Sequence, residues 1–331
     1  MEKFLLISPE IGKDKGGIQN WMYHVHKLLN TKKYILNTYS YKDKISTIFQ
    51  NYNNNIFLLA TWKMAIFLLP ILFLKKKKIF IFIHGNEILN INFTLTYLLK
   101  YLVNRESTYF IANSHSIAEL FYLETKRKID FVQFPFMQIP SKQENLIKEP
   151  NLFFTITRLV KRKNIKNIIY AFEKLKKEKF TFKYNIAGIG EEMQSLQNLV
   201  EQLDLTEEIK LLGKVDENKK DELYQNSSYF LLPSLFDKSD GSIEGYGIVF
   251  IEANAYGIPV LSGDTGGMIE AVIDTKTGLH SDGSIDDIYN KIKKLITYHF
   301  DTNYIYKHAR KHDYLAQEEF LNFVESKING K

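Results

Sequence analysis

Asp240-Gly-Ser-Ile-Glu244-Gly-Tyr-Gly247-Ile248-Val-Phe-Ile-Glu252-Ala-Asn-Ala-Tyr-Gly257-Ile-Pro259-Val260 reads as a loop that turns into a helix, stops and enters a strand. Gly245 and Gly247 sit at the turn, Ile248 to Tyr256 form the expected helix, and Gly257 ends it. Upstream, Leu231-Leu232-Pro233-Ser234 reads as the end of another strand. Strand, glycine-bearing loop, helix and strand again is the repeating unit of a parallel sheet covered by helices.

The same alternation runs through the whole chain. Apolar runs predict strands at Phe4–Ser8, Ile56–Ala60, Ile79–Ile83 and Tyr109–Asn113, then at Leu152–Thr157, Tyr184–Ala187, Ile209–Leu212, Tyr229–Leu232 and Pro259–Leu261. Between the two groups, the polar segment from Gln138 to Pro150 carries Pro140 and Pro150 and reads as a linker. With 331 residues, 45% of them hydrophobic, the chain is long enough for two cores. The final thirty residues place Leu315, Phe320, Phe323, Val324 and Ile328 at helical spacing, which predicts one buried stripe.

Composition narrows the function classes. There is no cysteine, which excludes disulfides and thiolate metal sites and leaves the cytoplasm as the default compartment. Residues 1–150 hold 20 Lys and Arg against 11 Asp and Glu, and the remainder 24 against 27. No zinc spacing or aromatic RNA-binding motif accompanies that basic half, so nucleic acid is not an expected partner. The apolar run from Ala65 to Leu74 is too short to span a bilayer and contains Pro70. Followed by Lys75-Lys76-Lys77-Lys78, it has two readings that stand level: a surface resting on anionic lipid at the inner face of the cytoplasmic membrane, or a buried helix and a solvated turn.

The chemistry-bearing residues cluster at predicted strand ends. Glu244 precedes a helix start whose first residues, Gly247 and Ile248, present backbone N–H groups suited to phosphate, with glycine allowing close approach. Glu252 follows eight residues later, roughly 12 Å along a fully helical path and on a similar face. One carboxylate could take ribose hydroxyls and the other a sugar, on either side of a diphosphate. Alone, the two glutamates read better as a solvated loop charge and a helix-surface charge. Their neighbours argue otherwise: Thr265-Gly266-Gly267 forms a second backbone nest after a strand, and Arg158 and Lys163 follow the first strand of this half, where ligands of open α/β sheets bind. Lys161-Arg162-Lys163 is also readable as a solvated charge run. Gly188-Ile-Gly190 lacks the third glycine of a dinucleotide fingerprint, since Met193 stands there.

From about Phe153 to Gly278 these residues resemble the C-terminal domain of the retaining glycosyltransferase family 4. The shared pattern is Arg-x4-Lys, then Glu-x7-Glu, then a glycine pair, with Asn254-Ala255-x-Gly257-x-Pro259-Val and Thr277-Gly278-Leu279. The resemblance implies that Arg158 and Lys163 bind the donor diphosphate, that Glu252 binds ribose and that Glu244 contacts the transferred sugar. Thr157 and Asn164 stand where the family usually has glycine. In the N-terminal half, Gly16-Gly17-Ile18, His84-Gly85 and Asn113-Ser114 each follow a predicted strand. By the same resemblance, Gly16 and Gly17 lie near the diphosphate and His84 near the sugar, although a lone histidine is more often structural.

The fold that the resemblance implies is GT-B: two Rossmann-like α/β domains facing across a cleft. Residues 1–145 would form the acceptor-binding domain and 150–300 the nucleotide-sugar-binding domain, with 301–331 crossing back to the first. The implied activity moves a hexose or N-acetylhexosamine from a nucleoside-diphosphate sugar to a surface-polysaccharide or lipid-linked oligosaccharide acceptor. No metal or other cofactor is expected, since the family needs none and no Asp-x-Asp occurs. A soluble small-molecule acceptor, a non-catalytic sugar-nucleotide-binding module and an epimerase of the same architecture are the alternatives.

Overall fold

The computed structural model describes residues 3–12, 16–32, 34–40, 43, 54–72, 77–89, 91, 93–142, 147–236 and 242–329. The chain forms two compact units, Met1–Gln138 with His312–Lys331, and Ile139–Lys311. Each is built on a six-stranded sheet whose described pairings are all parallel.

The first unit carries β1 (Lys3–Ile7), β2 (Ile35–Tyr39), β3 (Ile56–Leu59), β4 (Lys78–Ile83), β5 (Thr108–Ala112) and β6 (Phe131–Val132), in the order β2-β1-β3-β4-β5-β6. Phe4 to Ile7 and Ile79 to Ile83 are buried without alternation, as strands must be when helices cover both sheet faces. Helix α1 (Gly17–Thr31) places Trp21, Met22, Val25, Leu28 and Leu29 in the core.

The second unit carries β7 (Leu152–Ile156), β8 (Lys183–Ala187), β9 (Ile209–Gly213), β10 (Tyr229–Leu232), β11 (Val260–Gly263) and β12 (Gly278–Ser281), in the order β12-β11-β10-β7-β8-β9. Read from β9, this is the Rossmann order 3-2-1-4-5-6, with its reversal between β7 and β10. The loops that leave these two neighbouring strands hold the residues of interest.

Nine strands were expected and twelve are present among the described residues. The three not anticipated, β2, β6 and β12, all lie at sheet edges. An edge strand has fewer neighbours to pack against, so Ile35-Leu-Asn-Thr-Tyr39, Phe131-Val132 and Gly278-Leu-His-Ser281 lack the unbroken apolar run that marks a central strand.

The C-terminal segment returns to the first unit at His312, later than the expected residue 301. Residues Thr302–Arg310 form a helix of the second unit: Asp301 caps its start, accepting from the Asn303 and Tyr304 amides at 2.9 and 3.2 Å, and Ile305 and Ala309 are buried. The returning helix is Glu318–Asn329. Its Phe320, Leu321 and Val324 join the first unit's core with Phe82, Ile111 and Phe136, while Phe323 and Ile328 are partly buried against it. Leu315 lies in a separate one-turn helix and is 63% exposed, so it does not belong to the stripe. Gln133 Nε2 donates to Gln317 Oε1 at 2.9 Å where the segment re-enters.

The apolar run before the lysines forms a 3-10 helix, Trp62–Leu68, and one α-turn, Leu69–Leu72. Trp62, Met64, Ala65, Leu68 and Leu72 are buried, whereas Ile66 and Leu69 are exposed. Lys75 and Lys76 lie outside the described residues. The Lys78 ammonium donates to the carbonyls of Lys327 and Ile328 at 2.5 and 2.6 Å, capping the last turn of the returning helix. Among the described residues, no helix is long and apolar enough to cross a membrane.

Phe320 is fully buried, so Phe320→Ala should destabilise the first unit by about 3–5 kcal/mol. Denaturant unfolding followed by tryptophan fluorescence reads that unit, because Trp21 and Trp62 both lie in it. An unchanged midpoint contradicts the anchoring role.

Candidate active site

The second unit's site starts at the carboxyl end of β7. After Arg158, which is exposed, the chain makes a 3-10 turn, Lys161–Lys163, that buries Arg162 and Lys163. Asn164 follows with φ 60°. Asparagine is one of the few residues besides glycine that adopts this left-handed conformation, so the substitution leaves the turn intact. It also adds bonds glycine lacks: Asn164 Nδ2 donates to the Pro233 carbonyl at 3.2 Å and the Gly283 carbonyl at 2.9 Å. Thr157 is not among the positive-φ residues, so no left-handed backbone requires glycine there.

Neighbouring loops approach closely enough to exclude side chains. A Cβ on Gly188 would lie 1.8 Å from the Thr157 carbonyl oxygen, and one on Gly190 would lie 2.2 Å from that of Leu159. The Gly188-Ile-Gly190 pair therefore makes room for the arginine-bearing loop. The same holds for Gly266 and Gly267, where a Cβ would meet the Glu244 carbonyl oxygen at 2.7 Å and that of Gly245 at 1.9 Å. The Gly267 N–H donates to the Glu244 carbonyl at 3.2 Å. This glycine pair is thus seated against the Glu244 loop by backbone contact.

Glu244 is held by two cations. Arg162 Nη1 lies 3.0 Å from its Oε2, and the Lys163 ammonium donates to the same oxygen. All three side chains are largely buried. Burial by itself would raise the Glu244 carboxyl, but the charges and hydrogen bonds of Lys163 and Arg162 outweigh it and hold the group at about 2. Burial lowers Lys163, and the Arg162 and Arg158 charges add to that, while Glu244 opposes them. The cluster sets the Glu244 carboxylate against the Arg162 guanidinium and the Lys163 amine.

Glu252 has separate company. It sits within the helix Ile248–Asn254, whose start is set by Gly247 at φ 88°. Its Oε2 accepts from the Tyr224 hydroxyl at 2.8 Å and its Oε1 from the Lys220 ammonium at 3.0 Å. Both partners project from the helix Glu217–Asn226. The second glutamate is therefore a buried, paired carboxylate and not a helix-surface charge. Ile248, the first residue of its helix, is half-buried.

The first unit holds the remaining three candidates. Gly16, at φ 126°, caps α1, and Gly17 opens that helix; a Cβ on Gly17 would meet nothing within 4 Å among the described residues. His84 follows β4. Its Nε2 lies 2.8 Å from the Ala60 carbonyl, which can only accept, so the proton sits on Nε2 and Nδ1 carries a lone pair. Burial lowers the ring's pKa, against the charge of Glu87 and the Ala60 bond, so the imidazole is neutral at pH 7. The Glu87 carboxylate accepts from the His84 backbone N–H at 2.7 Å, and Trp21 meets the ring edge-on at 5.4 Å.

The family model described as "Glycosyl transferases group 1" matches residues 137–312, more than half of the chain. The chain belongs to this family. Among its relatives, WcaL of Salmonella typhimurium, named as a colanic acid biosynthesis glycosyltransferase, is 33% identical over 135 residues, 40% of this chain and 33% of WcaL. The GDP-mannose-dependent alpha-(1-6)-phosphatidylinositol monomannoside mannosyltransferase of Mycobacterium tuberculosis is 29% identical over 142 residues, 43% of this chain and 37% of that protein. The matched stretch thus spans about a third of each relative. HepE of Anabaena, solved in complex with UDP and glucose, has a TM-score of 0.73 at 16% identity, covering 98% of this chain and 100% of its own. Sucrose-phosphate synthase of Thermosynechococcus elongatus has a TM-score of 0.75 at 15% identity, covering 98% and 99%. These likenesses show the GT-B fold.

Of the sequence candidates, Lys163, Glu244, Gly266 and Gly267 come together, and Glu252 pairs elsewhere. Arg162, Asn164, Lys220 and Tyr224 were not anticipated. Arg162 sat in a charge run that read equally well as solvated, and its buried partner lies 82 positions along the chain.

Two outcomes follow from this geometry. Asn164→Ala should cost about 2–3 kcal/mol, combining left-handed strain with two lost buried hydrogen bonds. Asn164→Gly keeps the backbone and should cost less; equal losses in denaturant melts contradict the conformational part. The folded pKa of Glu244 lies below its ordinary 4.5, so its stabilisation is complete above that value and is lost as pH falls toward about 2. Thermal melts across this window should fall more steeply for the wild type than for Glu244→Gln, and parallel curves contradict the assignment.

Proposed function

We propose that the chain is a retaining glycosyltransferase moving a hexose or N-acetylhexosamine from a nucleoside-diphosphate sugar to a saccharide or lipid-linked acceptor. The observation that carries this reading is the buried Glu244–Lys163–Arg162 cluster at the β7–β10 switch point, in a member of the group 1 glycosyl transferases. At a switch point the sheet's carboxyl edge opens into a crevice that takes ligands, and two buried cations beside an exposed Arg158 suit a diphosphate.

In this reading Arg158 and Lys163 take the diphosphate, Glu244 accepts hydrogen bonds from hydroxyls of the transferred sugar, and Glu252 accepts from the ribose through lone pairs that Tyr224 and Lys220 leave open. When the bond from the anomeric carbon to the diphosphate oxygen breaks, negative charge accumulates on the diphosphate, where the fixed cations stabilise it. For Gly16, Gly17 and His84 of the first unit, the family resemblance is the support for a role toward the donor. Gly247 and Ile248 present the helix start to the donor, and Gly266 and Gly267 act by seating the Glu244 loop. No metal enters the reading, because side-chain cations supply the charge; donor turnover should be unchanged by EDTA.

HepE was solved with UDP and glucose, and the mycobacterial relative is named as GDP-mannose-dependent. Those names support a sugar nucleotide as donor, with the base open between uridine and guanosine. WcaL is named for colanic acid biosynthesis and the mycobacterial protein as a phosphatidylinositol monomannoside mannosyltransferase, which supports a saccharide or lipid-linked acceptor. The excess of basic residues in 1–150 supports peripheral contact with anionic lipid, although Lys78 is engaged within its own unit.

Thermal shift with UDP, GDP and ADP tests the donor site. One nucleotide at 100 times its Kd should stabilise the protein by about 2.7 kcal/mol, and no shift with any of the three overturns the reading. With the matching sugar nucleotide, slow hydrolysis without acceptor should fall by about 100-fold in Glu244→Ala, the magnitude of a lost transition-state hydrogen-bonding partner. Arg158→Ala should weaken nucleotide binding itself. Interconversion of the sugar with no release of nucleotide would mark an epimerase instead.

A further inference from the structure

We propose that Arg162 is a positioning residue that keeps Glu244 paired while donor binding draws Lys163 from Glu244 to the diphosphate. This rests on the donor reading above and adds a residue to which nothing else assigns a part.

The geometry leads to it directly. Arg162 and Lys163 are consecutive, both are buried, and both meet one oxygen of Glu244. One carboxylate does not need two cationic side chains for neutrality, so among the described residues the cluster has more basic than acidic side chains. A second anion satisfies that surplus, and a diphosphate is such an anion. The two cations are not equivalent in what they can do. Lysine is a flexible point charge that can turn from one anion to another, whereas the guanidinium is planar, permanently charged and carries its donors in a rigid array. The turn that carries Arg162 is pinned as well: its carbonyl accepts from the Leu235 amide at 2.8 Å, and the following Asn164 is tied to the Pro233 and Gly283 carbonyls.

Lys163 is therefore the cation free to transfer, and Arg162 the one that remains. Without Arg162, moving Lys163 onto a diphosphate leaves Glu244 buried and unpaired, which is the costly half of a broken ion pair. Among the described residues, the charged groups that act on Glu244 are Lys163 and Arg162, with Arg158 acting on Lys163. Among these groups, removal of Arg162 leaves proton uptake to neutralise Glu244 once Lys163 has moved.

The test is calorimetric titration of the full chain with UDP, GDP, ADP and inorganic pyrophosphate, from pH 8 to pH 5.5, for wild type, Arg162→Gln, Arg162→Lys, Glu244→Gln and the Arg162→Gln/Glu244→Gln double variant. The readout is the ratio of variant to wild-type Kd, which cancels the ligand's own titration. For the nucleotide that binds wild type, and for pyrophosphate, Arg162→Gln should bind about 10-fold or more weakly at pH 8. That ratio should shrink as pH falls, because binding then takes up a proton on Glu244. Arg162→Lys should restore most of the affinity, and the double variant should match Glu244→Gln alone. A merely structural role would lower Tm in Arg162→Gln with no pH dependence in the ratio and no rescue by Glu244→Gln, and would overturn the proposal. Unchanged affinity in Arg162→Gln overturns it too. Failure of wild type to bind any of the three nucleotides overturns the donor reading itself, and this inference with it.

Discussion

The second unit is organised around one electrostatic constraint: a buried carboxylate, Glu244, that is stable only because two cations reach it from the neighbouring strand's loop. A charge taken out of water needs a partner of opposite sign with good geometry. Here the partners arrive because β7 and β10 are adjacent in the 3-2-1-4-5-6 order, which brings the loop after one beside the loop after the other. Neither loop has a reason to adopt its path without the other.

Much of the surrounding sequence serves that meeting. Gly188 and Gly190 let the β8 loop lie against the arginine-bearing loop, and Gly266 and Gly267 let the β11 loop lie against the backbone of Glu244 and Gly245. Asn164 ties the turn of Lys163 to the loops after β10 and β12. These residues act by admitting close backbone contact or by supplying hydrogen bonds. The second glutamate belongs to a different arrangement, in which the helix Glu217–Asn226 supplies Lys220 and Tyr224 to hold Glu252. The Glu-x7-Glu spacing thus joins two independently supported carboxylates.

The fold was legible because central parallel strands, buried on both faces, are continuous apolar runs that stand out in sequence. The edge strands at Ile35–Tyr39, Phe131–Val132 and Gly278–Ser281 were not, since an edge tolerates Asn37, Thr38, His280 and Ser281. At the site, Arg158, Lys163, Glu244 and Glu252 were visible as residue types at suggestive spacings. What spacing does not encode is which oxygen meets which nitrogen. Arg162 looked like one more charge in a basic run, and its burial depends on a carboxylate far along the chain. The left-handed turn at Asn164 was hidden for a similar reason, because nothing local distinguishes an asparagine that replaces glycine from one that caps a helix. Leu315 shows the opposite failure: its spacing fitted the returning helix, but the backbone breaks at Gln317 and leaves it exposed.

A crystal structure of the chain with the most tightly bound of UDP, GDP and ADP addresses the central claim most directly, since it records where Lys163 Nζ and the Glu244 carboxylate go. The expected result is a phosphate oxygen within hydrogen-bond distance of Lys163 and Arg158, with Arg162 still paired to Glu244. A nucleotide whose phosphates lie away from Arg158 and Lys163, with the Glu244 cluster undisturbed, would contradict it.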